Sequence, residues 1–421
     1  MKDPKLLDLY SDYLLASFRM ATATGLSELT DQALSHDKIS RFLGQEAFTA
    51  KDYWRCIKPL VRKVEHPDAV IKIDDTIEEK PHSTENEVVT WHWDHSKKPK
   101  AGHTKGINIL NFLYQSPQGI ELPVAFEIVP KSQEYVDAKS GQVKKRSPRS
   151  KNEMLRDQLF ALVKYNRVPF RYVVWDTWFA AKENFEFVHY ELGKHFISAL
   201  KSNRKAALTM EDKLEGKFHR VDGLELQAGQ AITVYLKGLD FQVQLVKQVF
   251  INQDGSAGDL YLVTNDLELS GPAICTTYGT RWGVEVFHKS LRQNVGLEKS
   301  PTKRETSQCN HVFAAMIAWT KLELLTAKEQ TNHFALKTKI YVNVLRAAFQ
   351  EVHRLKAYVP AIGPPNGLAT PLLGKALINL FIRVLFQCHA LSGLAVPSTL
   401  STVNFFNYHR GCLKSPYPTG S

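Results

Sequence analysis

Aspartates at the ends of two β-branched runs, and a glutamate among cations, are the residues of this chain that could do chemistry together. The glutamate lies in YGTRWGVEVFHKSLR, Tyr278 to Arg292. At about 100° per residue, Tyr278, Arg281, Glu285, His288, Lys289 and Arg292 fall within an arc of roughly 100° on one helix. Val284, Phe287 and Leu291 take a different face, at the spacing of a core stripe. One face is thus anchored, and the other presents a single carboxylate among cations. A solvated helix with i, i+4 ion pairs such as Glu285–Lys289 would produce this pattern, each pair contributing about 0.3–0.5 kcal/mol. A metal-ligating acid beside cations that hold phosphates would produce it too, provided other carboxylates meet it.

Such carboxylates are present. AVIKIDDT is a short β-branched run ending in Asp74 and Asp75, and FRYVVWDT is another ending in Asp176. Between them, after a polar, loop-like stretch, KGINILNFLYQ and IELPVAFEIVP flank a Ser-Pro-Gln-Gly turn and predict a hairpin. KNEMLRDQLFALVKYN then reads as an amphipathic helix. This order predicts an α/β fold, a mixed sheet flanked by helices. Adjacent parallel strands place their C-terminal ends side by side, where such sheets bind ligands. Asp74 or Asp75 can therefore meet Asp176, and Glu285 can complete the cluster from a helix packed on the sheet. Clustered carboxylates do not all ionise cheaply without a cation between them. Oxygen ligands favour Mg2+ or Mn2+, and two such ions activate a nucleophilic oxygen and stabilise the leaving oxygen of a phosphodiester. A single strand-end aspartate commonly begins a turn; three acids in this order on a basic chain carry the argument.

The chain has 421 residues and a net charge of +11. The length implies two or three domains, and the charge points to a polyanionic partner, nucleic acid first. Five scattered cysteines form no CxxC pair and no zinc spacing, which argues against a disulfide framework or structural zinc. MKDPKLLDLYSDYLL lacks a signal-peptide pattern. LINLFIRVLFQCHALSGLAV is interrupted by Arg383, Gln387 and His389 and predicts a buried helix rather than a membrane span. A soluble cytoplasmic protein without a membrane partner is expected.

Five regions are expected. Residues 1–66 form a helical module, with Ser35 and Thr49 as N-caps, that either docks in a DNA groove or packs as a lid on the next domain. Residues 67–210 and 270–330 form a split catalytic core around a β-rich insertion, 211–269. Residues 331–421 form a helical region and tail. KSGQVKKRSPRSK reads as a polar, mobile loop; Lys144, Lys145 and Arg146, with Arg149 and Lys151, are the densest basic run and suit contact with a DNA backbone. In WHWDHSKKPKAGH, the cluster of His92, Asp94, His95 and His103 reads as a polar loop near DNA more readily than as a metal site. Trp91, Trp93, Trp178 and Trp282 suit stacking on an unpaired base, although core packing is the commoner role of such residues.

The Asp…Asp…Glu order with a β-rich insertion before the glutamate resembles the DDE transposases of bacterial insertion sequences. It is most similar to the cut-and-paste branch with a Tyr-x2-Arg-x3-Glu-x6-Lys signature, which here reads Tyr278, Arg281, Glu285 and Arg292 in the lysine's place. IDDT resembles the family's first-aspartate motif, VVWDTWFAAKEN its second, and FISALKSNRKA the strand that follows, so the likeness covers roughly residues 67–325. The resemblance implies an RNase H-like core with two Mg2+ ions per site, Mn2+ able to substitute. It also implies cleavage at the terminal inverted repeats of a transposon, joining to target DNA, and association with the bacterial nucleoid. Because two ends must be cut and joined to one target, a homodimer is expected in the DNA complex. By carry-over, Asp74, Asp176 and Glu285 are the catalytic metal ligands, and Tyr278, Arg281 and Arg292 contact DNA phosphates; Lys289, Lys144, Lys145 and Arg146 extend that basic surface. The family pattern places one residue between the aspartate and the threonine, which implies Asp74, with Asp75 the alternative. Arg292 keeps the lysine's charge with a planar fork. Two rival functions are a nuclease on the same core that cuts without joining, and a DNA-binding descendant that has lost its chemistry; the intact acids argue against the latter.

Overall fold

The computed structural model describes residues 3–93, 102–138, 141–251 and 255–356. Asp94, His95 and the apolar segment around Arg383 lie outside the described residues. Two compact units divide the chain, residues 1–341 with 415–421 and residues 342–414. Among the described residues no helix is long and apolar enough to cross a membrane.

The chain opens with α1 (Pro4–Ala16), α2 (Ala23–Leu29), α3 (His36–Gly44) and α4 (Ala50–Val64). Ser35 caps α3 by accepting from the Lys38 amide, and Thr49 and Asp52 form a reciprocal capping box on α4, satisfying amides that a helix start leaves unpaired. The strands follow as β1 (Val70–Glu79), β2 (Val89–Trp93), β3 (His103–Gln115), β4 (Glu121–Ile128), β5 (Gln133–Val136) and β6 (Val143–Arg146). Next come α5 (Lys151–Phe160), β7 (Tyr172–Trp175), α6 (Lys182–Glu186), β8 (His195–Leu200), β9 (Lys205–Ala207), α7 (Met210–Leu214) and β10 (His219–Arg220). The remainder is β11 (Ala231–Leu236), β12 (Val243–Ile251), β13 (Ala257–Thr264), α8 (Gly271–Gly279), α9 (Trp282–Asn294), α10 (Glu305–Glu329) and α11 (His333–Lys356).

The central strand order is β4-β3-β1-β7-β8. β1 runs antiparallel to β3 and parallel to β7, and β7 runs parallel to β8. This is an RNase H-like mixed sheet. The long β3 pairs with β2 through residues 103–107 and with β4 through 109–115. On the other flank β13, β12, β11, β9 and β10 extend the same sheet, so the β-rich segment adds strands to it.

Three local expectations need correction. The segment before the hairpin, read as loop, contains β2, in which buried His92 alternates with exposed Trp91 and Trp93. The basic stretch read as a mobile loop contains β6, paired with β5 in a ribbon of its own. β6, VKKR, has little intrinsic strand preference and forms because β5 supplies hydrogen bonds, whereas β2, VTWHW, is rich in the strand-favouring Val, Thr and Trp. Finally, Tyr278 to Arg292 is not one continuous α-helix. α8 ends at Gly279 and α9 starts at Trp282, joined by tight i→i−3 bonds in which the Arg281, Gly283 and Val284 amides donate to Tyr278, Thr280 and Arg281. Such 3₁₀-type turns commonly link helical segments.

The N-terminal helices share the core of the sheet. Tyr10, Leu14, Phe42, Ile57 and Val61 are buried in the same apolar cluster as β1, β3 and α10. Phe313 of α10 stacks on Phe48 at 4.5 Å and meets Tyr53 edge-on at 5.5 Å and Phe126 of β4 at 6.3 Å. The Tyr53 hydroxyl donates to the Pro123 carbonyl at 2.6 Å. Any nucleic acid that these helices bind must therefore meet their outward, charged side. Removing the Phe313 ring should cost about 3–5 kcal/mol and loosen helices and sheet together. Urea unfolding of Phe313→Ala, followed in parallel by far-ultraviolet circular dichroism and tryptophan fluorescence, should show one transition shifted to lower urea. An unshifted midpoint would mean that the N-terminal helices do not depend on this junction.

Candidate active site

Strand alternation sends Lys72, Asp74, Thr76 and Glu78 to one face of β1 and Asp75 to the other. α9 lies over the first face, with Val284, Phe287 and Leu291 fully buried and Phe287 edge-on against Trp319 of α10 at 4.8 Å. Its second residue is small, and a Cβ on Gly283 would displace the ends of the Glu121 and Lys72 side chains, themselves joined in an ion pair. Gly283 thus lets α9 lie close over β1, two residues before Glu285.

In that arrangement Arg281 Nη1 donates to Asp74 Oδ2 at 3.0 Å and lies 3.7 Å from Glu285 Oε1. Arg292 Nη1 donates to Thr76 Oγ1 at 3.1 Å. Asp75 turns away, accepting from Lys151 Nζ at 2.6 Å and from Asn108 Nδ2 at 2.8 Å. Asp176 follows β7. Because Lys72 pairs with Val174 across the parallel strands, Asp74 and Asp176 each lie two residues further along neighbouring strands. The Trp178 amide donates to Asp176 Oδ1 at 2.9 Å.

Asp74, Glu285 and His288 each offer a ligand atom within 4.8 Å of the others. Asp176 lies outside that trio but close enough to act on Asp74 by charge. The sequence places His288 on the charged face without assigning it a role. The i, i+3 spacing Glu285-x-x-His288 marks it, since that spacing projects both side chains from one side of a helix. The ring is buried and its Nε2 faces Asn111 Nδ2 at 3.1 Å. Lys289, expected beside the glutamate, instead places its ammonium over the Phe334 ring at 5.2 Å. Tyr278 is half-buried next to Arg281. Lys144, Lys145 and Arg146 lie on exposed β6.

The electrostatics follow from burial and crowding. Burial raises Asp74 well above the ordinary carboxylate range; Arg281 opposes this, while Asp176, Glu285 and Asp75 add to it. Burial also raises Asp176, against Arg281 and the Trp178 amide. Burial pushes the Tyr278 hydroxyl up to about 12 and, with Arg292 nearby, pushes His288 down to about 3. Burial alone would lower Arg281, but Tyr278, Asp74, Glu285 and Asp176 outweigh it and hold the guanidinium charged. Like charges held this close, with a neutral imidazole beside them, suit a divalent cation. The donor set therefore fits such a metal.

Among the tryptophans singled out by the sequence, Trp91, Trp93, Trp178 and Trp282 are all substantially exposed. Lys151 lies over Trp178 at 5.5 Å. His92 is buried beside Thr90, whose hydroxyl it meets at 2.9 Å, and His103 packs edge-on against Trp93.

Two family models match this chain. One described as "DDE superfamily endonuclease" matches residues 3–217, just over half of the chain, and one described as "Transposase DDE domain" matches residues 137–321. A curated protein from Geobacillus stearothermophilus, "Probable transposase for insertion sequence element IS5377", is 34% identical over 87 residues. That match covers 20% of this chain and 23% of the relative's own length.

Because Asp74 is raised above its unfolded value of about 3.9, the stability tied to it is fully present below that value and is lost as pH rises through the raised folded value. In metal-free buffer the Tm advantage of Asp74→Asn over wild type should therefore grow between pH 5 and pH 8. Mg2+ or Mn2+ should then raise the wild-type Tm more than that of the variant. A constant offset across that range would show that Asp74 carries no such strain.

Proposed function

The chain belongs to the DDE superfamily of insertion-sequence transposases, and from that premise we propose that it binds the ends of its own element, cuts DNA there and joins the cut ends to a target. The observation that carries this reading is the approach of Asp74 and Glu285 within 4.8 Å, with Asp176, just past the end of the neighbouring parallel strand, close enough to act on Asp74 by charge.

Asp74, Asp176 and Glu285 hold the divalent cations, Mg2+ with Mn2+ as a substitute. Two such ions supply activation of the attacking oxygen and stabilisation of the leaving one. Asp74 is favoured over Asp75 because Asp75 is engaged by Lys151 and Asn108 on the opposite face. Arg281 balances the two carboxylates, and its planar fork retains donors for a phosphate oxygen. Arg292, oriented by Thr76, extends that phosphate contact along β1. The Tyr278 hydroxyl stays protonated and can donate to the same backbone. Lys289 lies over Phe334 and would meet DNA only at the margin. Two ends joined to one target require two such sites, hence a homodimer on DNA.

The test is cleavage and strand transfer on a labelled duplex carrying the terminal sequence of the element, with Mg2+ and saturating protein. Asp176→Ala and Glu285→Ala should abolish both steps and leave DNA binding nearly intact. Arg281→Ala should slow cleavage on the order of a hundredfold, because positioning and charge stabilisation are lost together; Arg292→Lys should retain most activity and Arg292→Glu little. Wild-type rates from the two acid variants would remove the catalytic assignment. Cleavage by wild type without joining would leave a nuclease on the same core.

A further inference from the structure

β5 and β6 form a two-stranded ribbon that pairs with no other strand among the described residues, and every residue of both strands is exposed. An isolated two-stranded hairpin is marginal in water. This one is held at its base. Lys131 Nζ donates to the Trp91 carbonyl at 2.5 Å, and the Lys131 amide to the Glu87 carbonyl at 2.7 Å. On the returning leg, Arg149 bonds Glu127 at 2.6 Å and Asp157 at 2.7 Å, and Lys151 bonds Asp75, the neighbour of Asp74. A fixed base beside the catalytic strand thus carries an exposed arm.

The register sorts the arm's side chains. Gln133 faces Arg146 and Tyr135 faces Lys144 on one side; Glu134 faces Lys145 and Val136 faces Val143 on the other. On the first side the Arg146 guanidinium lies over the Tyr135 ring at 5.5 Å, and Lys144 is held by Asp137. On the second side Glu134 stands opposite Lys145. The first side therefore presents an amide and a guanidinium next to one another on a flat aromatic support. These groups form paired hydrogen bonds with the major-groove edges of adenine and guanine, and that groove, about 12 Å wide, admits a two-stranded ribbon.

We propose that this ribbon enters the major groove of the duplex DNA that the protein binds, with Gln133 and Arg146 on base edges. The proposal rests on the transposase reading and deepens it: the basic run is a base-reading arm as well as a backbone contact.

The experiment compares wild type with Gln133→Ala/Arg146→Ala, with a variant whose residues 133–146 are replaced by a short Gly-Ser turn, and with Lys217→Ala, which removes an exposed charge remote in sequence from the arm. Binding to a fluorescein-labelled duplex carrying the element's terminal sequence is titrated between about 50 and 200 mM salt. Guanine N7 protection from dimethyl sulfate is mapped on the same duplex. The double variant should weaken binding on the order of tenfold or more and lose N7 protection at a discrete site. The Gly-Ser variant should do the same and reduce the salt slope by about 0.9 for each phosphate that the arm had neutralised. Lys217→Ala should change neither affinity nor footprint, and melting temperatures should stay near wild type because the altered residues are exposed. Unchanged affinity and footprint in both arm variants, on DNA that wild type binds and cuts, would overturn the arm alone. Failure of wild type to bind or cut any duplex would instead overturn the transposase reading.

Discussion

Bringing Asp74, Asp176 and Glu285 to one end of a sheet concentrates negative charge where the two aspartates are partly buried and the glutamate is exposed. That repulsion is the constraint the surrounding structure answers. The raised carboxyls of Asp74 and Asp176 are its signature. Part of the answer is charge: the Arg281 guanidinium between Asp74 and Glu285 offsets what burial imposes. The other part is packing. Val284, Phe287 and Leu291 are fully buried, and burying each such side chain contributes about 1.5–3 kcal/mol. That burial favours the seated glutamate helix although its charged face is repelled.

Packing fixes distance poorly unless something also fixes rotation, and a buried polar chain behind α9 does so. Asn294 Nδ2 donates to Ser290 Oγ, which meets His333 Nδ1 at 2.7 Å. His333 Nε2 meets Glu323 Oε2 at 2.8 Å, and Glu323 Oε1 accepts from the Glu121 amide at 2.9 Å. The Glu121 carboxylate pairs with Lys72, on the same face of β1 as Asp74. The helix that carries Glu285 and the strand that carries Asp74 are thus linked through α11, α10 and β4. Satisfied networks of this kind define one geometry more than they add stability, and one geometry is what metal-ligand distances require.

Around this centre the basic surface takes two mechanical forms. The N-terminal helices are built into the shared core through Phe48, Tyr53 and Phe313, so their outward side can move only with the catalytic sheet. The β5–β6 ribbon is exposed along both strands and is held at its base. A rigid basic surface suits backbone positioning, whereas a projecting arm can follow a groove.

The sequence by itself determined the kinds and order of elements around the site. β-branched runs ending in Asp74 and Asp176, the hairpin at Ser-Pro-Gln-Gly, the caps at Ser35 and Thr49, and the apolar stripe of Val284, Phe287 and Leu291 are local signals, because propensity, turn chemistry and periodicity act within a few residues. Strand alternation also separated Asp74 from Asp75. It could not say which of them faced the glutamate, since that depends on which side of the sheet α9 covers; only the likeness to a family pointed to Asp74. Tertiary structure decided that, and it decided the rest of the site's detail. The turn at Arg281 and the close approach at Gly283 bring α9 over the Lys72–Glu121 pair of distant strands. Lys289 leaves the charged face because the ring of Phe334 offers its ammonium a partner. β6 is a strand because β5 lies alongside it. Each depends on a contact between residues far apart in the chain, whose free energy no window of sequence contains.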